Sequence, residues 1–291
     1  MRIIVLPEQW MTESSLTGKQ ADELSCQLLS APYGPKTPGS KLLKSIKHLL
    51  TNSEAQSAVV VLPLNFANGK NMKYWPDICF PTRTGSAVIS VFFADSRENC
   101  ISLFNTLNYS SSGKQVWNAT CQYQPPYTDT FDLWVKAGAK SIHPGDFFKQ
   151  EFLEEVARMT GHWLYWGHSD NNKLRGYHHV YSKELLAHKP EHPLISTLWF
   201  SCSTLNNNSS NSIGLEWYLS GATHCLMASP VEVNTEANCF LAKAWLEACQ
   251  DSKDKTIAGI IGHLLEKDEP IITDTLKQYK LLGSPWVRFG D

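Results

Sequence analysis

The chain has 291 residues, 42% of them hydrophobic and 19% charged, a composition that excludes a disordered chain and allows a substantial core. Its net charge of −2, without a block rich in Lys and Arg, argues against nucleic acid or an anionic membrane surface as the main partner. The apolar run in the opening "MRIIVLPEQW" is too short for a signal peptide, and no later run reaches membrane length. We therefore expect a cytoplasmic protein.

The eight cysteines are scattered along the chain, with no CxxC pair and no tight His/Cys spacing. This pattern offers no structural zinc site, and we expect neither a metal nor another cofactor. Reduced thiols in a cytoplasm are the simplest interpretation.

The first part of the chain shows two strand patterns separated by polar segments. "RIIVL" (2–6) and the β-branched run "AVVVLPLNF" (58–66) predict strands. Pro and Gly in "APYGPKTPGSK" predict that 12–45 is a surface loop, and 67–85 is expected to be irregular. We predict that residues 1–85 form a smaller N-terminal region of strands and loops that can pack on the domain that follows.

From residue 86 onward, strand and helix patterns alternate. Apolar runs predict strands over 86–94, 114–122, 162–168, 193–203 and 222–230. Helical spacing of apolar residues predicts helices over 97–108, 145–159, 182–188, 211–221, 234–249 and 254–267. Residues 122–145, rich in Pro, Tyr and Asp, are expected to form a long loop. The alternation predicts an α/β domain over 86–291, a doubly wound, mainly parallel sheet with helices on both faces.

Two predicted strands end in residues that can do chemistry. "HWLYWGHSDNN" turns from apolar to polar at Gly167-His168, and "ISTLWFSC" ends in Cys202. Ligands and catalytic groups collect at the carboxyl ends of such strands, and a right-handed crossover would place these two ends side by side or one strand apart. A cysteine nucleophile reacts as a thiolate, so it needs a nearby base to take its proton, and an imidazole can be that base.

Each of these residues also has an ordinary interpretation. His168 alone could be a polar residue that ends a strand, and a cysteine is by default a buried, inert thiol. The polar Ser-Cys-Ser-Thr setting of Cys202 after an apolar strand distinguishes it from the other cysteines. Taken together, the two residues favour a catalytic pair.

Further segments follow in an order that has a known counterpart. With the two strand ends, "IGLEWYLSGATHCLMASPVEVNTEANCFLAKAWLEAC" (213–249) and "LLGSPWVRF" (281–289) make the chain resemble the CHAT family of caspase-like cysteine peptidases, which is related to caspases and separases. The resemblance covers residues 86–291. It implies a caspase-like fold and hydrolysis of a peptide bond by thiolate attack.

The resemblance also implies roles for individual residues. Cys202 would be the nucleophile and His168 the base that later protonates the leaving amine. The backbone N–H groups of Cys202 and Ser169 would form the oxyanion hole, with Ser169 standing where the commoner pattern has glycine after the histidine. Asp170 is a candidate to orient the imidazole, and a turn cap is its alternative role.

Specificity is less defined by the resemblance. Basic-specific relatives carry an acidic residue two positions before the cysteine, where this chain has Phe200. An apolar or small residue before the cleaved bond is therefore as compatible as Arg or Lys. The remaining candidate pocket acids are Glu216, Glu232 and Glu236.

The leading hypothesis is a cytoplasmic cysteine endopeptidase that cleaves a protein or peptide. Its activity would be controlled by a regulatory partner, a ligand or proteolytic processing. The resemblance implies a role in a bacterial defence system, for example against viruses, or in cell death. We expect no direct nucleic-acid or membrane binding. The alternative is a catalytically inactive interaction module with the same fold, favoured by the missing glycine after His168. Another thiol enzyme, such as an amidotransferase, is a third class, but the elbow glycines are absent and the order of His and Cys is reversed.

Overall fold

A computed structural model of the chain describes residues 1–11, 22, 25–107, 115–206, 208–209 and 211–289. Its strands are β1 Arg2–Pro7, β2 Cys26–Ala31, β3 Ser57–Pro63, β4 Cys79–Thr82, β5 Gly85–Ala94, β6 Trp117–Cys121, β7 Lys140–Ile142, β8 His162–Trp166, β9 Ser169–Asp170, β10 Lys173–Leu174, β11 Val180–Tyr181, β12 Ser196–Phe200, β13 Cys225–Ala228 and β14 Lys280–Gly283. Its helices are α1 Glu8–Met11, α2 Gly39–Thr51, α3 Arg97–Leu107, α4 Tyr127–Lys136, α5 Lys149–Arg158, α6 Ser182–Ala187, α7 Ile213–Leu219, α8 Thr235–Asp251, α9 Ile257–Glu266 and α10 Pro270–Leu276, with 3-10 turns at Leu64–Phe66 and Gly69–Tyr74 and a short turn at Gly176–His179.

Eleven of these strands form one sheet in the order β2-β1-β3-β5-β14-β13-β12-β8-β6-β7, with β4 paired to β5. The pairs are parallel except for β4 with β5 and β13 with β14. The strands β9, β10 and β11 form a separate antiparallel sheet. Parallel strands need crossover connections, which the helices provide.

Apolar side chains cover both faces of the large sheet. On one face, β8 and β12 contribute Trp166 and Phe200 to a core shared with α3, α4, α8, α9 and α10. On the other face, Trp163 and Trp199 pack in a core with α2, α5, α6 and α7. Because both faces are buried, these strands read as continuous apolar runs in the sequence. The predicted α/β class, with a mainly parallel sheet and helices on both faces, is confirmed.

Several local predictions were wrong. The predicted loop over 12–45 contains β2 and the start of α2, although residues 12–21, 23 and 24 lie outside the described part of the chain. The predicted irregular segment 67–85 contains the strand β4. The predicted loop over 122–145 contains α4 and β7, and α10 and β14 follow the last predicted helix.

The physical reason differs between these segments. In α4 the apolar residues Tyr127, Phe131 and Trp134 have helical spacing and are buried, but Pro and Asp residues around them hid the pattern. β2 lies at the edge of the sheet and is only partly buried, so its apolar signal is weak.

Strands before and after the predicted boundary near Gly85 share the large sheet, because β3 pairs with β5 along seven residue pairs. The division into 1–85 and 86–291 stays a prediction. Within the described residues, no helix is both long and apolar enough to cross a membrane.

Candidate active site

The two strand ends singled out in the sequence are neighbours in the sheet. β8 and β12 pair directly and in parallel, and the last pair in register joins Trp166 to Phe200. His168 and Cys202 each come two residues after that pair, so they leave the sheet at the same edge and at the same level. The register of the two strands therefore brings a histidine and a cysteine to the same edge of the sheet, beyond the ends of neighbouring strands.

The Cys202 side chain, which is partly buried, contacts the segment after β13. The Val233 N–H donates to Cys202 Sγ at 3.3 Å, and Sγ lies at the same distance from the Val233 carbonyl oxygen. Ser203, which follows, has a φ of 49° and donates its N–H to the Val231 carbonyl at 2.9 Å. This left-handed residue turns the chain sharply away from the sheet. A backbone N–H directed at sulfur stabilises negative charge there.

Three backbone contacts fix the position of His168. Its N–H donates to Gln122 Oε1 at 2.9 Å, and its carbonyl accepts from the Tyr165 hydroxyl at 3.1 Å and the Arg175 N–H at 3.0 Å. A Cβ on Gly167 would lie 2.5 Å from the Tyr165 hydroxyl oxygen and 2.8 Å from Gln122 Cβ. The residue before His168 is glycine because Tyr165 and Gln122 leave no room for a side chain at position 167.

The His168 imidazole contacts the buried Tyr127 at the start of α4. The Tyr127 hydroxyl oxygen lies 3.4 Å from Nδ1 and 3.5 Å from Nε2, and the two rings are perpendicular, with centroids 5.4 Å apart. The same hydroxyl lies 3.0 Å from Thr235 Oγ1, on the first residue of α8. Among the described residues, no hydrogen bond joins the His168 imidazole to Cys202 Sγ.

Ser169 connects the two strand ends. It is buried, and its hydroxyl donates to the Cys202 carbonyl oxygen. In the hairpin of β9 and β10 it faces Leu174, beside the hydrogen bond from Arg175 to His168. This makes Ser169 and Leu174 a pair without mutual hydrogen bonds, so the Ser169 N–H points away from β10.

Asp170 makes ion pairs within the same hairpin. Its Oδ1 accepts from Arg175 at 2.7 Å, and its Oδ2 lies 3.4 Å from Lys173 Nζ. The hydrogen-bonded Arg175 guanidinium holds the pKa of this carboxyl below its usual value. The carboxylate of Asp170 is therefore engaged by cations, and its predicted role in orienting His168 stays a prediction.

The residues considered for specificity lie in different environments. Phe200 is fully buried and stacks on Trp166, with centroids 6.1 Å apart. Glu216 accepts a hydrogen bond from the Ser182 hydroxyl. Glu232 and Glu236 are exposed.

The seven other cysteines share a property that suits inert thiols. Burial raises the pKa of each of them, to about 11 for Cys26, to about 12 for Cys79, Cys100, Cys121 and Cys249, and above its usual value for Cys225 and Cys239. These thiols therefore stay protonated at neutral pH. Among the described residues, no three His, Cys, Asp or Glu side chains form a group that could hold a metal ion.

Four residues of this site were missed by reasoning from the sequence. Gln122 is the first residue after β6, a position that could have been found from the strand ends alone. Tyr127 lay in a segment predicted to be a loop. Val233 and Thr235 contact the site through the loop after β13 and the start of α8, which no pattern indicates.

No protein-family model matches the chain, and no curated protein matches it. Solved structures resemble it in fold. The complex of the RgpB pro- and mature domains from Porphyromonas gingivalis has a TM-score of 0.69 at 11% identity, over 99% of this chain and 79% of that one. The Arg-specific cysteine proteinase gingipain R (RgpB) gives the same TM-score and identity, over 99% and 78%.

The separase–securin complex from Saccharomyces cerevisiae is a more partial match. Its TM-score is 0.52 at 11% identity, and the alignment covers 78% of this chain but 15% of that one. The chain therefore has the caspase-like fold that gingipain and separase share. At this level of identity the likeness concerns the fold.

Proposed function

We propose that the protein is a cysteine endopeptidase in which Cys202 is the nucleophile and His168 the general base. The observation that carries the proposal is the register of β8 and β12, which ends in Trp166 and Phe200 and sends both residues to one edge of the sheet. The fold supports it, since gingipain R is a cysteine proteinase with the same architecture.

In the proposed reaction, His168 takes the proton of the Cys202 thiol, and the thiolate attacks the carbonyl carbon of the cleaved peptide bond. The N–H groups of Cys202 and Ser169 hold the oxyanion that forms on the carbonyl oxygen. When the C–N bond breaks, the imidazolium gives its proton to the leaving amine. Water then attacks the thioester, with His168 again as base, and releases the free thiol and the carboxylic acid.

The substrate we propose is a protein or peptide without a required Arg or Lys before the cleaved bond. The arginine specificity in the printed name of gingipain R belongs to that protein. Here Phe200 fills the core below the nucleophile instead of offering a carboxylate. An apolar or small side chain at the cleavage position is compatible with this arrangement.

We further propose that the enzyme is of the CHAT type, cytoplasmic, and controlled by a regulatory partner, a ligand or processing in a bacterial defence or cell-death system. The contacts of the two central side chains support a controlled enzyme. Cys202 Sγ is held by Val233, and among the described residues no hydrogen bond joins it to the His168 imidazole, so the Val233 contacts must open, or a substrate must lie between the two groups, before reaction. The polar segment 205–212, which follows Cys202 closely in the sequence, is a candidate for processing.

A second candidate is an inactive interaction module with the same fold. The observation that favours it is that, among the described residues, no hydrogen bond links the side chains of His168 and Cys202. The two candidates differ in the reactivity of one thiol, which can be measured without knowing the substrate.

The experiment is thiol alkylation with limiting iodoacetamide from pH 5 to 8, quantified cysteine by cysteine in wild type and His168→Ala. We expect Cys202 to react at least about tenfold faster than the other seven cysteines below the unperturbed thiol pKa of about 8.5, since burial keeps the others protonated. His168→Ala should remove this advantage.

The matched control is His143→Ala, which removes a partly exposed histidine near the same edge of the sheet. Its ring contacts Tyr123 and Phe131 instead of His168 or Cys202. This variant should leave the labelling pattern unchanged. If Cys202 reacts no faster than the other cysteines, also in the presence of candidate partners, the endopeptidase proposal is wrong and the inactive module is supported.

A further inference from the structure

The imidazole of His168 lies beside the neutral hydroxyl of Tyr127. The Tyr127 hydroxyl lies 3.4 Å and 3.5 Å from its two ring nitrogens and 3.0 Å from Thr235 Oγ1. Tyr127 is 2% exposed, so its ring is fixed by the core around α4. The carboxylate that follows His168 in the chain, that of Asp170, is paired with Arg175 at 2.7 Å.

A hydroxyl pair can serve an imidazole in both of its protonation states. A neutral ring nitrogen accepts a hydrogen bond from Tyr127, whose oxygen can then accept one from the Thr235 hydroxyl. When the ring is protonated, its N–H donates to the Tyr127 oxygen, and the Tyr127 hydroxyl turns to donate to Thr235. Burial raises the pKa of Tyr127, so the phenol keeps the proton that this exchange needs.

The hydroxyl pair of Tyr127 and Thr235 also adjoins the segment that contacts the Cys202 thiol. Thr235 lies two residues after Val233, whose N–H donates to Cys202 Sγ at 3.3 Å. Asn234 between them caps α8 through a bond to the Ala237 N–H at 3.0 Å. The Tyr127 hydroxyl is therefore a direct link between the imidazole and the rigid start of the helix beside the sulfur.

We propose that Tyr127 is the positioning residue of His168, and that its hydroxyl, backed by Thr235, holds the imidazole in place in both protonation states. This inference rests on the proposed function of the Cys202–His168 pair. The oxygen-to-nitrogen distances of 3.4 and 3.5 Å are longer than the usual hydrogen bond, and a small rotation of the His168 imidazole toward the fixed Tyr127 hydroxyl would shorten one of them. Tyr127 acts through His168, and Asp170 is left to stabilise its hairpin.

The test is Tyr127→Phe, which removes the hydroxyl and keeps the buried ring. We expect the rate of Cys202 alkylation at pH 7 to fall about tenfold and the pH midpoint of that rate to change. A change in the pH profile separates a positioning role from a packing role, because loss of packing alone would lower the melting temperature and leave the midpoint in place.

Two further variants complete the experiment. Tyr123→Phe is the matched control, because this tyrosine lies four residues earlier, is 68% exposed and faces His143 instead of His168. Its profile should equal that of wild type. Thr235→Val removes the second hydroxyl at a partly exposed position, and it should shift the midpoint in the same direction, which also tests the proposal if Tyr127→Phe fails to fold.

The outcomes distinguish this inference from the proposed function. If His168→Ala abolishes the reactivity of Cys202 while Tyr127→Phe and Thr235→Val match wild type, the positioning role is wrong and the endopeptidase proposal stands. If His168→Ala also matches wild type, the Cys202–His168 pair is wrong and the role of Tyr127 is overturned with it.

Discussion

The two ends of strand β8 each carry a histidine, and the two side chains have opposite surroundings. His162, at the amino end, is fully buried, with Nδ1 2.8 Å from Ser196 Oγ, Nε2 bonded to Gln115, and its ring stacked on Trp117 at 4.3 Å. His168, beyond the carboxyl end, is partly exposed, and its Nδ1 lies 3.4 Å from the Tyr127 hydroxyl oxygen.

This difference shows how one strand divides structural and chemical roles between its ends. At the amino end, the hydrogen-bonding capacity of the ring is satisfied and water is excluded, so the side chain contributes to stability. At the carboxyl end, the backbone is fixed by Gln122 and Tyr165, while the ring contacts the Tyr127 hydroxyl and keeps access to solvent. A side chain that must exchange protons needs the second environment.

The largest expected effect is on stability, at the amino end. His162→Ala should lower the free energy of unfolding by about 3 kcal/mol, because it leaves a cavity and removes a buried partner of Ser196. His168→Ala should cost less than about 1 kcal/mol, as for other partly exposed positions. Urea denaturation of both variants measures the two values, and equal losses would contradict the division between the two ends.

The fold was predictable from the sequence where burial leaves a simple pattern. The strands at 162–166 and 196–200 are covered on both faces, so they read as unbroken apolar runs and their order predicts the parallel sheet. The residues that leave these strands, His168 and Cys202, could be found because a polar residue directly after such a run is visible without a structure.

The surroundings of the site could not be predicted, because they depend on contacts between distant segments. The Tyr127 hydroxyl reaches His168 only once α4 packs beside β8, and Val233 reaches Cys202 through a loop without a pattern. Asp170 shows that closeness in sequence can also mislead. It is the first carboxylate after His168 in the chain, but it pairs with Arg175 across a hairpin. The local sequence pattern indicates which residues follow the ends of the strands, and tertiary packing decides what these residues contact.

The next effect concerns acid, and it also arises at the amino end of β8. Burial lowers the pKa of His162 to about 3. The unfolded chain binds a proton there below pH 6.5 and the folded protein does not, so acidification through this window favours unfolding. The contribution approaches about 1.4 kcal/mol per pH unit below 6.5, until the folded side chain also titrates.

Comparison of wild type with His162→Asn isolates this contribution, because asparagine can bond to Ser196 and carries no proton to gain. The free-energy difference between the two proteins should shift in favour of the variant as the pH falls from 6.5 to 4.5. His168→Asn is the control at the other end of the strand. A pH-independent difference for His162→Asn would show that the buried ring is charged in the folded protein.

The smallest expected effect lies in the hairpin beside His168. The Arg175 guanidinium holds the pKa of Asp170 below its usual value, so the ion pair stabilises the folded protein above the unfolded-state pKa of about 3.9, and this contribution is lost as the pH falls through the folded-state pKa. Asp170→Asn should cost about 1 kcal/mol or less at pH 7, since the pair is partly exposed, and nothing once the carboxyl is protonated. Denaturation at pH 7 and at pH 3 measures both values.

The same variant should keep the alkylation rate of Cys202 within about twofold of wild type, because Asp170 is engaged by Arg175 and Lys173. A tenfold loss would instead give Asp170 the orienting role that the sequence predicts, and the carboxyl end of β8 would then depend on a charge as well as on the Tyr127 hydroxyl.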